Sequence, residues 1–376
     1  MPSFPMPFRR PRTPVRAPAA SRAAGVGPAP LPRRAGVAAA LAAAVALAAP
    51  AAHAACTWRA PRVALTVDND SLTATRADGG YTSGVRIDLF DDAPASGFAL
   101  DRAVESALGA GLDERCTGAE GGGAALRAIS IGQAIYTPRE LENPAPQPQD
   151  RPWAGWLYAA RSWEVLGTDG GRLRSRRLDA AVGAVGDASL ARQSQKLVHR
   201  ILGYAQPQGW DNQLRNQVGV SLNYLERVSF GDERRDLVVH WGGNLGNTQT
   251  YANAGATLRY GRALCDLGPG PGATFSGAAA GPAARCNAGS DALRWQVFAG
   301  VDVRAVAWDL FLQGDPRRGE SAIDPARVVA DARIGAAIAQ GRWRFTYTLV
   351  MRSREFGGPN AVRYPALAFA GATLSY

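Results

Sequence analysis

His199 is the side chain best suited to chemistry. It lies in the stretch 187–213, DASLARQSQKLVHRILGYAQPQGWDNQ, and a neutral imidazole can take a proton from water near physiological pH. Leu190, Leu197 and Ile201 recur along one stripe of a helix, with Val198 and Leu202 beside it. His199, Gln195 and Arg192 recur at i, i−4 and i−7 on the opposite face. Asp187 or Ser189 can cap this helix and Gly203 can end it. The pattern predicts a helix that packs through its apolar stripe. His199 would then face away from the packing surface, either merely solvated or as a general base facing a substrate.

A second group of polar residues is Val67-Asp68-Asn69-Asp70-Ser71. Three consecutive acid or amide side chains can hold a hard cation through oxygen, or simply shape a turn. His240 alternates with Val239 and Trp241 on a strand-like run, which places it beside Val238 on the opposite face. There is no Gly-x-Ser-x-Gly elbow, so a serine triad of that type has no support. Nor is there Cys/His spacing that suggests zinc.

The elements that must position these groups follow a leader. Residues 1–34 carry seven Arg and no acid, then an apolar Ala-rich run reaches Ala52-His53-Ala54. This reads as a signal peptide over 1–54 followed by one exported domain over 55–376, rather than as a membrane anchor. Cys56 raises a lipoprotein alternative, but His53 stands where a lipobox wants Leu. The chain is +10 overall, and much of that excess lies in the leader, so nucleic acid is not an expected partner. Export permits disulfides. Cys265 and Cys286 bracket a Gly/Pro/Ala-rich loop and are the expected pair, leaving Cys56 with Cys116.

The rest of the chain alternates. In Arg342–Arg352, Trp343, Phe345, Tyr347, Leu349 and Met351 point one way, while Arg342, Arg344, Thr346, Thr348 and Arg352 point the other. In 327–339, Val328, Ala330, Ala332, Ile334, Ala336 and Ile338 share a face opposite Asp331 and Arg333. Charges at the middle of a strand's second face do not suit a sandwich core, as in a soluble periplasmic β-protein, but they suit a barrel lumen. Twelve such segments are legible: 61–69, 80–91, 125–136, 153–168, 172–185, 213–230, 234–246, 250–263, 293–311, 325–339, 341–355 and 361–376. The expected fold is therefore all-β, a twelve-stranded antiparallel barrel of the outer membrane with one short helix, closed because lipid tolerates no open sheet edge. The terminal Tyr376 fits an outer-membrane assembly signal. Trp153, Trp156, Trp163, Trp241, Tyr251, Tyr260, Trp295 and Trp308 near strand ends read as interfacial girdles.

Five blocks in order carry a resemblance. They are Val67–Ser71; Gly80-Tyr81-Thr82-Ser83-Gly84; 130–138 (SIGQAIYTP); 150–158 (DRPWAGWLY); and 198–203 (VHRILG) with 207–213 (PQGWDNQ). Together they resemble the lipid A deacylase (LpxR-type) outer-membrane family. The resemblance implies removal of the 3′-O-linked acyloxyacyl chain from lipid A, the membrane anchor of lipopolysaccharide. It implies a calcium cofactor, with His199 as the base, Asp70 as a metal ligand, and Asn69 and Thr82 assisting. Lipid A and outer-membrane lipid are the expected partners, and a monomer is the expected state. Two positions depart from the pattern. No Lys lies in 139–150, where the aligned position falls near Asn143 and Arg139 is the candidate replacement. Ala205 stands where some members carry a second calcium carboxylate. Arg139, Arg192 or Arg200 are candidates for meeting anionic phosphates. A non-catalytic barrel, whether pore or structural, and a phospholipid acyl hydrolase remain the alternatives.

Overall fold

The computed structural model describes residues 57–59, 62–72, 80–91, 98–118, 125–262, 264, 285–286, 293–320, 323–358 and 367–376. The leader and most of the 264–292 insert lie outside them, so the expectation of a signal peptide over 1–54 does too.

The alternating segments become twelve antiparallel strands: β1 (Val63–Asn69), β2 (Gly80–Asp91), β3 (Ala125–Thr137), β4 (Ala154–Asp169), β5 (Arg172–Val185), β6 (Gln217–Gly231), β7 (Arg235–Gly246), β8 (Gln249–Arg262), β9 (Arg294–Asp309), β10 (Val328–Gln340), β11 (Trp343–Arg352) and β12 (Leu367–Ser375). Each pairs with the next, and β12 pairs with β1 through Ala372↔Val67 and its neighbours, which closes the barrel. Closure satisfies every edge within the sheet. One end carries the tight turn at Gly170-Gly171, the turn after Gly231 and the turn at Gly341, all with positive φ. Short turns mark the periplasmic end of a bacterial barrel.

Burial follows the alternation. Val63 and Leu65 of β1 are exposed while Ala64, Thr66 and Asp68 are buried. On β9, Val297, Val301 and Val303 face out while Gln296, Phe298 and Asp302 face in. The expected charged second faces do line the lumen. Arg177 meets Asp179 at 2.7 Å, Arg86 meets Asp88 at 2.7 Å, and Arg227 pairs with Glu164. Further round, Arg259 donates to Asp236 at 2.8 Å and Arg352 to Asp331 at 2.8 Å. His240 takes its place there as expected, with Nε2 2.9 Å from Asp302, as part of the lumen's polar packing. Toward the extracellular end an aromatic layer forms from Tyr81, Tyr136, Trp156, Tyr158, Phe311 and Phe369. Phe311 belongs to a short helix, Leu310–Gln313, that turns inward and stacks on Tyr136 at 4.3 Å.

Three expectations need correction. Trp153 and Trp156 are buried, Trp163 is covered and Tyr251 faces the lumen, where it accepts from Asn223. Of the expected girdle, Trp241, Tyr260 and Trp295 are exposed as expected, and Trp343, packed on Tyr376 at 4.7 Å, joins them. Large amphipathic rings also serve as packing units where a polar edge finds a partner. Second, β9 ends at Asp309 rather than 311, because the Asp309 side chain accepts from the Phe311 amide and caps the inward helix. Third, the region 92–124, where the sequence predicts no regular element, holds a ten-residue helix, α1, Ala99–Leu108.

Cys116 is disulfide-bonded and no described cysteine is free, while Cys56 and Cys265 lie outside the described residues. The short strand Thr57–Arg59 pairs with Thr117–Gly118 and with Arg285–Cys286.

Candidate active site

The helix that carries His199 is α2, Ala191–Leu202, twelve residues long. It begins later than Asp187. Residues Asp187–Ser189 form a separate 3-10 turn, and Leu190 between the two has φ 59°, a left-handed conformation. A side chain there costs about 1–2 kcal/mol, so the chain breaks at Leu190 before the α-helix starts. Gly203 ends α2 at φ 73°, and its neighbour Tyr204 donates a backbone hydrogen bond to the His199 carbonyl at 2.8 Å.

The orientation of α2 is opposite to the expectation. Its buried residues are Ala191, Gln195 and His199. Leu190, Leu197, Val198, Ile201 and Leu202 are all exposed, Ile201 to 71%. The two stripes lie where the sequence spacing puts them, but their partners are exchanged. The helix lies against the outside of a lipid-facing wall, so its polar stripe packs inward and its apolar stripe meets hydrocarbon.

Several contacts hold it there. Ala191 packs with Ile135, Leu141, Trp153 and Trp210. Trp210 donates its indole N–H to Gln195 Oε1 at 2.8 Å. Gln133 on β3 donates to the Ser189 carbonyl at 2.6 Å. Gly155 on β4 has no side chain for a reason: a Cβ would sit 2.2 Å from both Ala191 Cβ and Ser189 Oγ. Arg192, an expected phosphate ligand, is engaged by Asp211 at 2.9 Å and by the Trp210 carbonyl.

His199 is held by its own helix end. Its Nδ1 lies 2.6 Å from the backbone carbonyl of Ala205. A carbonyl only accepts, so Nδ1 carries the proton and Nε2 keeps the lone pair in the neutral ring. The position that lacks a carboxylate side chain thus still orients the imidazole, through its main chain. Tyr204 packs edge-on against the ring at 5.7 Å.

Opposite α2 stand the extracellular ends of the first three strands. Asp70 opens the 3-10 turn Asp70–Leu72 directly after β1 and is buried at 2% exposure. Thr82 is the extra residue of a β-bulge between Tyr81 and Ser83. Bulges re-aim a side chain, and here the Thr82 hydroxyl shares a 2.6 Å hydrogen bond with Thr137. Asn69, Asp70, Thr82 and His199 all line one open cavity, with Ser83, Val85, Gln133, Ile135, Ser194, Gln195, Val198, Leu202 and Tyr204. The four residues singled out from the sequence are therefore brought together. Asp68 is not among them. It alternates to the lumen side and accepts from Tyr81 at 3.2 Å. Arg139, Asn143, Arg192 and Arg200 do not line this cavity either. Tyr204 escapes the sequence reasoning, although an aromatic directly after the helix-ending glycine was its signal.

The donors fit a hard cation by type: the Asp70 carboxylate, the Asn69 amide oxygen and the Thr82 hydroxyl. No group of three His, Cys, Asp or Glu able to hold a metal occurs among the described residues. Calcium affinity rises with ligand charge, so a site with one such carboxylate fits weak binding completed by neutral oxygens and water.

A closed barrel with a cavity of polar and apolar lining on its outer wall, beneath a helix with an apolar outer face, defines an outer-membrane protein whose candidate site meets lipid directly. The chain belongs to the family described as "Outer membrane protein LpxR", whose model matches residues 38–374. It is similar to the solved structure of "LpxR from Salmonella typhimurium", with 20% identity, a TM-score of 0.61, and coverage of 84% of this chain and 99% of that one. At that identity the likeness speaks for the fold. Comparison with curated proteins gave no match.

Proposed function

We propose that this protein hydrolyses the ester that links the 3′-O acyloxyacyl chain to lipid A. The observation that carries the reading is the meeting of His199, Asp70, Asn69 and Thr82 in one cavity on the lipid-facing wall. Acyl chains already in the outer leaflet reach such a cavity without crossing water. Val85, Ile135, Val198 and Leu202 give it apolar lining for the chain beside the reacting ester.

His199 Nε2 takes a proton from water as the water oxygen attacks the acyl carbonyl carbon. The resulting tetrahedral oxyanion needs donors already in place, a role assigned here to the Thr82 hydroxyl and the Asn69 side-chain amide, both of which line the cavity. As the carbon–oxygen bond to the sugar breaks, the imidazolium returns its proton to the departing alkoxide. The products are a free carboxylic acid and a sugar hydroxyl. Calcium, when bound by Asp70 with Asn69 and Thr82 oxygens, supplies Lewis acidity toward the carbonyl oxygen.

The same machinery would cleave a phospholipid ester, so the test separates the two. The full chain is expressed in a Gram-negative host, and lipid A and phospholipids are analysed by mass. Wild type is expected to yield lipid A lighter by the 3′ acyloxyacyl group with calcium present. His199→Ala and Asp70→Ala should each leave lipid A intact. Unchanged lipid A from a folded wild-type barrel would sink the proposal. Lysophospholipid accumulating instead would move it to the second substrate. Activity surviving His199→Ala would remove the mechanism but spare the function.

A further inference from the structure

The second helix, α1, has no part in the site just described. Its contacts divide it into three faces. Asp101, Val104, Glu105 and Leu108, at i, i+3, i+4 and i+7, meet the barrel. Val104 and Leu108 pack with Ala125, Trp163, Val165, Leu178, Ala180 and Tyr224. Asp101 accepts from Arg161 at 2.9 Å and from the Trp163 indole at 2.7 Å, and Glu105 accepts from Arg127 at 2.9 Å. These wall residues occupy outward positions. Arg127 is two residues from Ile129 and four from Ile131, which are exposed on the lipid-facing side of β3. Arg161 is paired with Ile129 in the sheet register. Guanidinium groups pointing at hydrocarbon are unfavourable, and α1 brings the carboxylates that neutralise them.

Burial alone would raise the Asp101 pKa. The hydrogen bonds from Trp163 and Arg161, with the Arg161 charge, outweigh it and hold the carboxyl below its ordinary range. Asp101 is therefore ionised at neutral pH, as the pairing requires.

The second face is Leu100, Ala103 and Ala107, again at i, i+3 and i+7, with Phe98 leading in. All are exposed, Phe98 to 77% and Leu100 to 64%. The third face, Arg102 and Ser106, is exposed and polar. A helix in water has no use for an apolar stripe next to a polar one when its remaining face is already packed. A helix lying in the boundary of a bilayer needs all three.

The geometry points to α1 as a membrane-interface helix, docked on the outer wall at the periplasmic end, that sets Phe98 and Leu100 among the acyl chains of the periplasmic leaflet and Arg102 at its headgroups. Its occupant is the bilayer lipid around the barrel, because the wall residues it docks on, Arg127 and Arg161, share strand and register with the exposed Ile129 and Ile131. Arg102 favours anionic headgroups there.

The test uses the unsubstituted full chain, refolded into vesicles of phosphatidylcholine and phosphatidylglycerol whose acyl chains carry a photoreactive diazirine. After illumination, lipid adducts are mapped by mass spectrometry. Adducts at Phe98 and Leu100, comparable in yield to those at Ile129 and Ile131, are expected. Labelled Ile129 and Ile131 with unlabelled Phe98 and Leu100 would overturn the proposal, because the belt residues report a correctly inserted barrel. A second measurement attaches an environment-sensitive fluorophore at Leu100→Cys or Ser106→Cys without reductant. The Leu100 position should be shielded from aqueous iodide several-fold more than the Ser106 position. Equal access at both would place the helix in water.

Discussion

The carbonyl of Ala205 holds His199 Nδ1 at 2.6 Å, a task that a carboxylate side chain performs in many histidine-dependent sites. A backbone acceptor fixes the tautomer without adding charge, so the cavity keeps Asp70 as the acidic side chain in its lining. Placing an acid at this position tests what the missing charge costs. In Ala205→Asp the calcium concentration for half-maximal deacylation is expected to fall about tenfold, equivalent to about 1.4 kcal/mol of added binding. Calcium titration of hydrolysis in detergent micelles reads this directly. An unchanged midpoint would mean that position 205 does not face the cation. At this scale the sequence is informative about identity and weaker about direction. His199, Asn69, Asp70 and Thr82 are legible from their motifs, whereas Asp68 falls in the same polar run without sharing the cavity. Period-two alternation separates Asp68 from Asn69, and the strand continues through both.

Both long helices turn polar or charged side chains toward the barrel, Gln195 and His199 on α2 and Asp101 and Glu105 on α1, and each leaves an apolar stripe exposed. Periodicity locates the stripes of α2 to the residue, yet not which stripe is buried, because the spacing of apolar residues says only that two faces differ. Which face packs depends on the solvent outside. In water the apolar stripe packs; on the outer wall of a barrel it meets hydrocarbon. The α1 helix was not legible because its contact face is mixed, two carboxylates with Val104 and Leu108, and shows no apolar stripe of its own. Strands were easier, since lumen and lipid impose opposite demands on successive residues. The docking of α2 depends on close approach at Gly155, where a Cβ would meet Ala191 and Ser189 at 2.2 Å. Gly155→Ala should push the first turn of α2 off β4 and shift His199 relative to Asp70. Deacylation is expected to drop about tenfold to a hundredfold, while the barrel's heat-resistant migration on gels stays as in wild type. Full activity in this variant would show that the helix has room the packing does not reveal.

Across the whole molecule the lumen and the outer wall divide the work. The lumen's described side chains pair with one another, Arg86 and Arg177 with Asp179, Arg227 with Glu164, His240 with Asp302, and an aromatic layer crosses the extracellular end. Under the proposed function the chemistry falls to the lipid-facing wall, and the paired interior holds the barrel together. Asp179 is the centre of that role. It is fully buried, accepts from Arg177 at 2.7 Å and from Ser162, and lies 3.8 Å from Arg86. Asp179→Ala leaves two buried guanidinium groups short of a counter-charge. Removing one partner of a buried pair costs about 3–5 kcal/mol, more than the pair's net worth, because the survivor stays desolvated. The expected result is a matching loss in urea unfolding free energy of the barrel in micelles, with residual activity scaling with the folded fraction. The double variant Asp179→Ala with Arg177→Met removes the main stranded charge and refills its volume, so it should be less destabilised than the single. If the double is as unstable as the single or worse, the loss comes from packing volume and not from charge, and the lumen network would have to be read as filler whose polarity is incidental.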